Sequence, residues 1–421
     1  MQASNIVGLA EGLDGSVLKL FKRGTHRIIS PDDTLARIAP RAPQIGITRL
    51  GNVTGLDRIG IPVTVAIRPN SRSVSVSQGK GLSLSQAFAS ALMEAIELFH
   101  AEDPAGRAVD ASFLELSANA RVVRSGLLSG EEISVSDRTR IRWIEGYDLL
   151  ARETYWVPWD VVHTDYTLQT RYNIEQHHFL SGSNGLASGN HLVEAVSSAI
   201  CELVERDAVA VWHARNIRER SCCHLDAGSI DDGDCRTLLE LYETAQIRPR
   251  LWDVTSDVGI PAFLCDIPAA ADDASNGLRR FRGSGCHPDR GVALARALTE
   301  AAQIRLTYIA GIRDDLPTSD YMESTEQKLG AALLDAISQA SRARSFRDVP
   351  SHNTDDVAID LRWELERLRA IGIQRVIAVD LTRPEFGIPV VKVVIPGLEW
   401  DRNHSNYAAG PRAQQVSGRS E

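Results

Sequence analysis

Apolar positions recur every three to four residues in some stretches of this chain and cluster into short β-branched runs in others, and the two patterns alternate. The helical period predicts helices over residues 83–100, 192–212 and 290–309, with two more over 326–343 and 355–370. Ser83 or Ser85, Asn190 after Gly189, and Pro288-Asp289 signal the first three starts, and Gly372 supplies a stop for the last. One turn-then-strand signal occurs three times: Gly60-Ile61-Pro62 before Val63-Thr64-Val65-Ala66-Ile67, Gly259-Ile260-Pro261 before Ala262-Phe263-Leu264-Cys265, and Gly387-Ile388-Pro389 before Val390-Val391-Lys392-Val393-Val394. Glycine supplies the bend, and proline opens a strand where no ladder donor is needed. Residues 375–380 read as another strand, 268–280 as a polar loop. Strands and helices thus mix along the chain, which points to an α/β (α+β) fold with a mixed, largely antiparallel sheet. The expected division is an N-terminal segment, 1–55, packed on a core domain, 56–409, with a flexible tail, 410–421.

The first three helices share a motif. They contain Ser90-x3-Glu94-x2-Glu97, Ser198-x3-Glu202-x2-Glu205 and Arg296-x3-Glu300-x2-Gln303, with the intervening positions almost wholly apolar. That spacing puts three polar groups on one helical face. A helix apolar all round except for one acidic stripe belongs in the interior, with the stripe facing a cavity or ligand. Glycine-rich stretches precede each copy: Gly79-Lys80-Gly81, Ser183-Asn184-Gly185 and Gly283-Ser284-Gly285. An acidic stripe on one helix is usually a solvated face, but three copies flanked by apolar residues reverse that reading.

Carboxylates converging in a half-buried cleft repel one another and take up protons unless cations neutralise them. Their oxygens suit magnesium, which commonly bridges one or two carboxylates to substrate phosphates. Lys80, Arg206 and Arg305 lie nearby in sequence to receive the remaining phosphate charge. A nucleoside triphosphate with Mg2+ satisfies this set, although Gly79-Lys80 is followed by Gly81, so no Walker loop is present.

Composition narrows the picture further. A net charge of −9 argues against a nucleic-acid partner, and the absence of a long apolar run or a signal segment points to a cytoplasmic protein with no membrane span. The six cysteines include no C-x-x-C, and Cys222-Cys223-His224 lacks a second ligand pair, so these thiols read as packing or solvent-side groups. His100, behind Glu97, reads as a capping or packing residue, and Trp143, Trp156 and Trp159 as core. No catalytic nucleophile is identified.

At these residues the chain resembles the YcaO-domain family, from about Arg27 to Pro411. The resemblance rests on the run from Arg68 through Val74-Ser75-Val76-Ser77-Gln78-Gly79-Lys80-Gly81, on the Ser-x3-Glu-x2-Glu helix, on Ser183-Asn184-Gly185-Leu186-Ala187 with Glu202-x2-Glu205-Arg206, and on Gly283-Ser284-Gly285 with Arg296-x3-Glu300. It implies a fold with internal pseudo-repeats in which three acidic helices surround an ATP cleft. It also implies an ATP- and Mg2+-dependent enzyme that phosphorylates a peptide backbone amide for attack by a nucleophile. By this resemblance Glu94, Glu97, Glu202, Glu205 and Glu300 hold magnesium. Lys80, Ser90, Asn190, Glu194, Arg206 and Arg296 complete the nucleotide pocket, with Ser198, Gln303 and Arg305 as further candidates and Arg27 as a candidate for the phosphates.

Two departures qualify the match. Azoline-forming relatives tend to end in a proline-rich tail, whereas the last proline here is Pro411; the 391–399 run looks more like members that make thioamides with a TfuA partner. Leu98 follows Glu97 where relatives often have arginine. The expected activity is therefore thioamide formation on a peptide or protein substrate, working as a homodimer with a TfuA-like sulfur-delivering partner. The alternatives are an azoline-forming cyclodehydratase and an ATP-binding accessory protein.

Overall fold

The computed structural model describes residues 4–123, 126–127, 136–167, 179, 181–267, 280–313, 343–402 and 407–418. The expected helix over 326–343 and the loop over 268–280 fall almost wholly outside them. Its helices are α1 Ser4–Asp14, α2 Pro31–Ile38, α3 Leu84–Ala101, α4 Phe113–Ser117, α5 Leu192–Ala214, α6 Ile217–Ser221, α7 Gly233–Thr244, α8 Arg290–Ala310, α9 Val357–Ala370 and α10 Pro411–Ser417. The strands are β1 Arg49–Asn52, β2 Val63–Ile67, β3 Val76–Lys80, β4 Ala108–Ser112, β5 Arg140–Asp148, β6 Glu153–Pro158 and β7 Leu186–Ser188, then β8 Leu225–Asp226, β9 Arg250–Asp253, β10 Ala262–Ile267, β11 Phe281–Cys286, β12 Arg344–Ser345, β13 Ile377–Asp380 and β14 Val390–Val394.

The three Gly-Ile-Pro signals mark three equivalent units. Each glycine has a positive φ (77° at Gly60, 76° at Gly259, 60° at Gly387), the conformation that only glycine adopts without strain. Ile61, Ile260 and Ile388 are fully buried and pin the turn to the core. The strand that follows is in each case the middle of an antiparallel trio: β1-β2-β3, β9-β10-β11 and β13-β14-β7. The third strand of each trio leads directly into an acidic helix: α3, α8 or α5. In the last unit β7 and α5 come early in the chain while β13 and β14 come late, so the repeat is circularly rearranged. Through β5, this unit extends to β4 and β6, while β8 and β12 form a small parallel pair.

The glycine-rich stretches are where the helices meet the strands. A methyl group at Gly79 would strike the backbone of Ala87 and Ala91, and one at Gly283 or Gly285 would strike the backbone of Ala293, Ala297 or Ala301. Glycine on the strand and alanine every fourth residue on the helix let α3 and α8 lie directly on β3 and β11. Three apolar cores follow, under α5, α3 and α8.

Helix starts agree with expectation at Ser83, whose hydroxyl accepts from Gln86 N at 3.3 Å, and at Asp289, which accepts from Gly291 N and Val292 N. At α5 the cap is His191 rather than Asn190. The Asn190 carboxamide is taken by Arg37 (2.7 Å) and Thr34 (3.0 Å), and His191 Nδ1 accepts from Val193 N instead. The frayed tail is also corrected. Two buried carboxylates, Asp207 and Glu399, need donors, and α10 with its approach supplies them: Arg412 to Asp207 at 2.7 and 2.9 Å, and the amides of Gly410 and Ala413 to Glu399. The first segment joins the body through β1, which pairs with β2. No helix among the described residues is long and apolar enough to cross a membrane.

Candidate functional site

The three acidic stripes face one cavity of about 740 Å³. From α3 come Ser90, Glu94 and Glu97; from α5, Ser198, Glu202, Glu205 and Arg206; from α8, Arg296, Glu300 and Gln303. Lys80 projects from β3, and Asn190 and Glu194 stand at the start of α5. Residues 24–34 close one side, contributing Gly24, Thr25, Arg27 and Thr34.

Arg305 is the expected site residue that does not join this wall. At 100° per residue it lies about 200° around the helix from Gln303, on the opposite face. There it is buried and paired with Asp57 at 3.0 Å. Its charge is committed to the scaffold, and the phosphate role expected of it is withdrawn.

The electrostatics of the wall are uneven. Burial, reinforced by neighbouring carboxylates, raises Glu94 to about 7, Glu97 to about 8 and Glu202 to about 7, despite opposing contacts from Lys80, Ser188 and Arg206 respectively. Burial pushes Glu300 upward too, but Lys80 and Arg206 outweigh it and bring that carboxyl to about 2. Lys80 Nζ lies 2.8 Å from Glu300 Oε2. Arg206 reaches Glu205 at 3.4 Å and Glu202 at 3.9 Å.

Several groups that the sequence did not single out hold these side chains. Ser188 donates to Glu97 from its amide (2.8 Å) and its hydroxyl (2.7 Å), and Ser284 Oγ donates to Glu205 at 2.7 Å. Glu194 accepts from Ile28 N at 2.9 Å and Asn190 N at 3.2 Å, tying the N-terminal wall to α5. Lys392 is fully buried on β14, donates to Gly182 O, and is drawn down to about 7 by burial against the pull of Glu202. Its counterparts after the other two Gly-Ile-Pro turns are Val65 and Leu264, and that lone charge in an apolar strand was the signal available. His100 is buried with Nδ1 at Ile96 O, 2.8 Å away, in a packing role.

The donor set fits a polyanion carried by hard dications. Glu205 Oε2, Arg206 Nε and Arg296 Nε are buried and find no hydrogen-bond partner among the described residues, Arg206 Nε having only a 4.0 Å ion-pair contact with Asp401. Three carboxyls are held near neutrality in pKa, where added positive charge would ionise them. Among the described residues no three His, Cys, Asp or Glu side chains gather closely enough to hold a metal ion unaided. Magnesium commonly takes one or two carboxylates and completes its shell with phosphate oxygens and water.

Comparison with known proteins bears on the same residues. Residues 78–399 match the model of a family described as YcaO cyclodehydratase, ATP- and Mg2+-binding. A protein from the tfuA 3′ region of Rhizobium leguminosarum bv. trifolii is 35% identical over 395 residues, 92% of each chain. One from Methanothermobacter thermautotrophicus is 33% identical over 378 residues, 88% of this chain and 94% of its own. Of solved structures, YcaO from Methanopyrus kandleri bound with AMPPCP and Mg2+ has a TM-score of 0.73 at 23% identity, covering 94% of this chain and 98% of that one. A heterocyclase in complex with substrate and cofactor gives 0.73 and 23% over 94% of this chain, which spans 56% of the heterocyclase. These two likenesses establish the fold.

Proposed function

The chain belongs to the YcaO family, and we propose that it uses ATP and Mg2+ to convert a backbone amide of a peptide or protein into a thioamide. The observation that carries this reading is the convergence of Glu94, Glu97, Glu202, Glu205 and Glu300 with Lys80, Arg206 and Arg296 on one cavity.

An amide oxygen is a poor leaving group. Transfer of the γ-phosphoryl group to it, with release of ADP, makes it a good one. A hydrosulfide ion then forms the C–S bond as the C–O bond breaks, and the oxygen departs as inorganic phosphate. The sum is amide, ATP and hydrosulfide to thioamide, ADP and phosphate. Catalysis of this kind is mainly alignment and charge neutralisation.

In this reading the five glutamates hold Mg2+, which when bound offsets the charge of the phosphates. Ser188 and Ser284 fix the orientation of Glu97 and Glu205. Lys80 and Arg206, the two cations that lower Glu300, would offer their charge to the phosphate oxygens. Ser90, Asn190, Glu194, Ser198, Arg296 and Gln303 form the rest of the nucleotide wall, with Arg27 beside them. Asn190 and Glu194 act there chiefly by fastening residues 27–37.

The relative from a tfuA region supports the sulfur chemistry and a TfuA-like partner that delivers sulfide. The family description favours a second reading, cyclodehydration of a Cys, Ser or Thr in the peptide to an azoline. Mass spectrometry of a substrate treated with protein, ATP, Mg2+ and sulfide separates them. Replacement of oxygen by sulfur makes the product heavier, and ring closure makes it lighter by one water. ATP consumption with neither change would overturn both.

A further inference from the structure

Ahead of the cavity wall, residues 17–21 carry two isolated β-bridges, Leu18 to Asp356 and Phe21 to Arg27, and the two edges of this segment differ. The inner edge is laced to the body. Val17 N donates to Asp356 Oδ1 at 3.0 Å, Val357 N to Val17 O at 2.8 Å, and Lys19 N to Asp355 O at 2.8 Å. Phe21 and Arg27 exchange both backbone bonds, at 3.0 and 2.9 Å. Because Leu18 faces Asp356 as a non-hydrogen-bonded pair, its own N–H and C=O point the other way, and so do those of Leu20. No described residue pairs with either amide.

Side chains follow the same alternation. Lys19 points inward, 7% exposed, where it meets Asp360, His26 and the carbonyl of Thr354. Leu18 and Leu20 point outward and are 57% and 75% exposed, Leu20 more than any other large apolar side chain described. Two outward leucines beside two unpaired amides form a ready template for another strand. The position of this edge matters. Phe21 pairs with Arg27, and Gly24, Thr25 and Arg27 line the cavity. A strand added at the usual spacing of about 4.8 Å would lie two strands from the backbone of Arg27.

We propose that the outer edge of residues 17–21 is the docking strand for the polypeptide whose amide is modified. An extended segment pairs its main chain with Leu18 and Leu20 and seats apolar side chains at alternate positions against the two leucines. This rests on the activity proposed above. Main-chain pairing holds a substrate whose reacting group is itself main chain, and it leaves the sequence at the reacting amide free to vary. The substrate is the occupant, rather than a second copy of this chain, because the segment continues through the bend at 23–25 into Gly24, Thr25 and Arg27, which line the reaction cavity.

The test follows amide hydrogen exchange in the full-length protein with AMPPCP and Mg2+ present. The probe is a capped synthetic peptide of alternating threonine and valine, added up to millimolar concentration. Docking slows exchange at Leu18 and Leu20 by about fivefold or more, as new strand pairing does. The effect disappears in the Leu18→Lys, Leu20→Lys double variant, which still binds the nucleotide analogue. Unchanged exchange at both amides overturns the proposal. Protection that grows with protein concentration without peptide also overturns it, since a second copy then covers the edge. A wild-type protein that fails to bind AMPPCP with Mg2+ would instead overturn the function proposed above, and the docking edge would still stand or fall on its own exchange data.

Discussion

The stripes on α3 and α8 sit on equivalent scaffolds, each helix pressed against the glycines of the strand before it, yet they meet opposite electrostatics. On α3, Glu94 and Glu97 are raised to about 7 and 8. On α8, Glu300 is lowered to about 2 by Lys80 and Arg206, and Arg296 and Gln303 stand where α3 has Ser90 and Glu97. A shared geometry therefore does not assign a shared role. Glu94 and Glu97 on α3 and Glu202 on α5 need added positive charge to ionise, whereas Glu300 already has it from the protein. Under the proposed function, the demand for Mg2+ would fall mainly on α3 and α5, and the α8 side would be a pre-formed contact for phosphates.

The largest effect is expected where that demand is greatest. Glu94→Gln keeps the shape of the side chain but removes its charge, and peptide-dependent ADP release should fall by about 10²–10³-fold, the scale of losing one preorganised electrostatic group. Its thermal unfolding should be unchanged or slightly later, because a buried charge and its repulsion are gone. Full turnover in this variant would break the comparison, since α3 would then need no ligand cation.

Lys80→Met tests the other side. Glu300 loses its 2.8 Å partner and should join the raised group. A charged hydrogen bond is worth about 1.5–3 kcal/mol, so affinity for AMPPCP with Mg2+ should drop roughly 10- to 100-fold by calorimetry. Unaltered affinity would show that the α8 side contributes nothing to nucleotide binding.

The contrast also predicts a pH dependence. An ordinary glutamate titrates near 4.3, so folding raises Glu94, Glu97 and Glu202 and favours their protonated forms. Their contribution to stability is complete below about 4.3 and is lost as pH rises through about 7 to 8. Metal-free protein should therefore lose several degrees of Tm between about pH 5 and pH 8, and AMPPCP with Mg2+ should flatten the slope. Glu300 has the opposite sign, with stability present above about 4.3 and lost as pH falls through about 2. A slope that survives saturating nucleotide and Mg2+ would place the titrating groups elsewhere.

Sequence reading located the stripes because an i, i+4, i+7 spacing is a local property of a helix. It also placed the central strand of each trio within a residue or two, because Gly-Ile-Pro imposes its own turn. Contacts made across the fold were not legible. The rearranged third unit hides the pairing of β14 with β7 behind some two hundred intervening residues. Arg305 was misread by proximity in sequence when helix phase turns it toward Asp57. Asn190 was read as a helix cap, but its side chain serves Thr34 and Arg37, more than 150 residues away in the chain. The anchor of Glu97, Ser188, belongs to another unit altogether and carries no motif of its own.

Ser188 supports the smallest effect and the finest test of the comparison. Its hydroxyl and its amide both donate to Glu97 Oε1, at 2.7 and 2.8 Å. Ser188→Ala removes one of the two bonds and leaves the other, so Glu97 is loosened and its pKa rises further, while its charge is kept whenever Mg2+ is bound. One such bond is worth about 1–1.5 kcal/mol, which sets a loss of roughly five- to tenfold in turnover. The loss should shrink as Mg2+ is increased, because a metal ion that captures the carboxylate replaces the orienting role of the serine. A deficit of the same size at every Mg2+ concentration would mean that Ser188 acts through the backbone of β7 instead, and that Glu97 is held in place without help from a ligand.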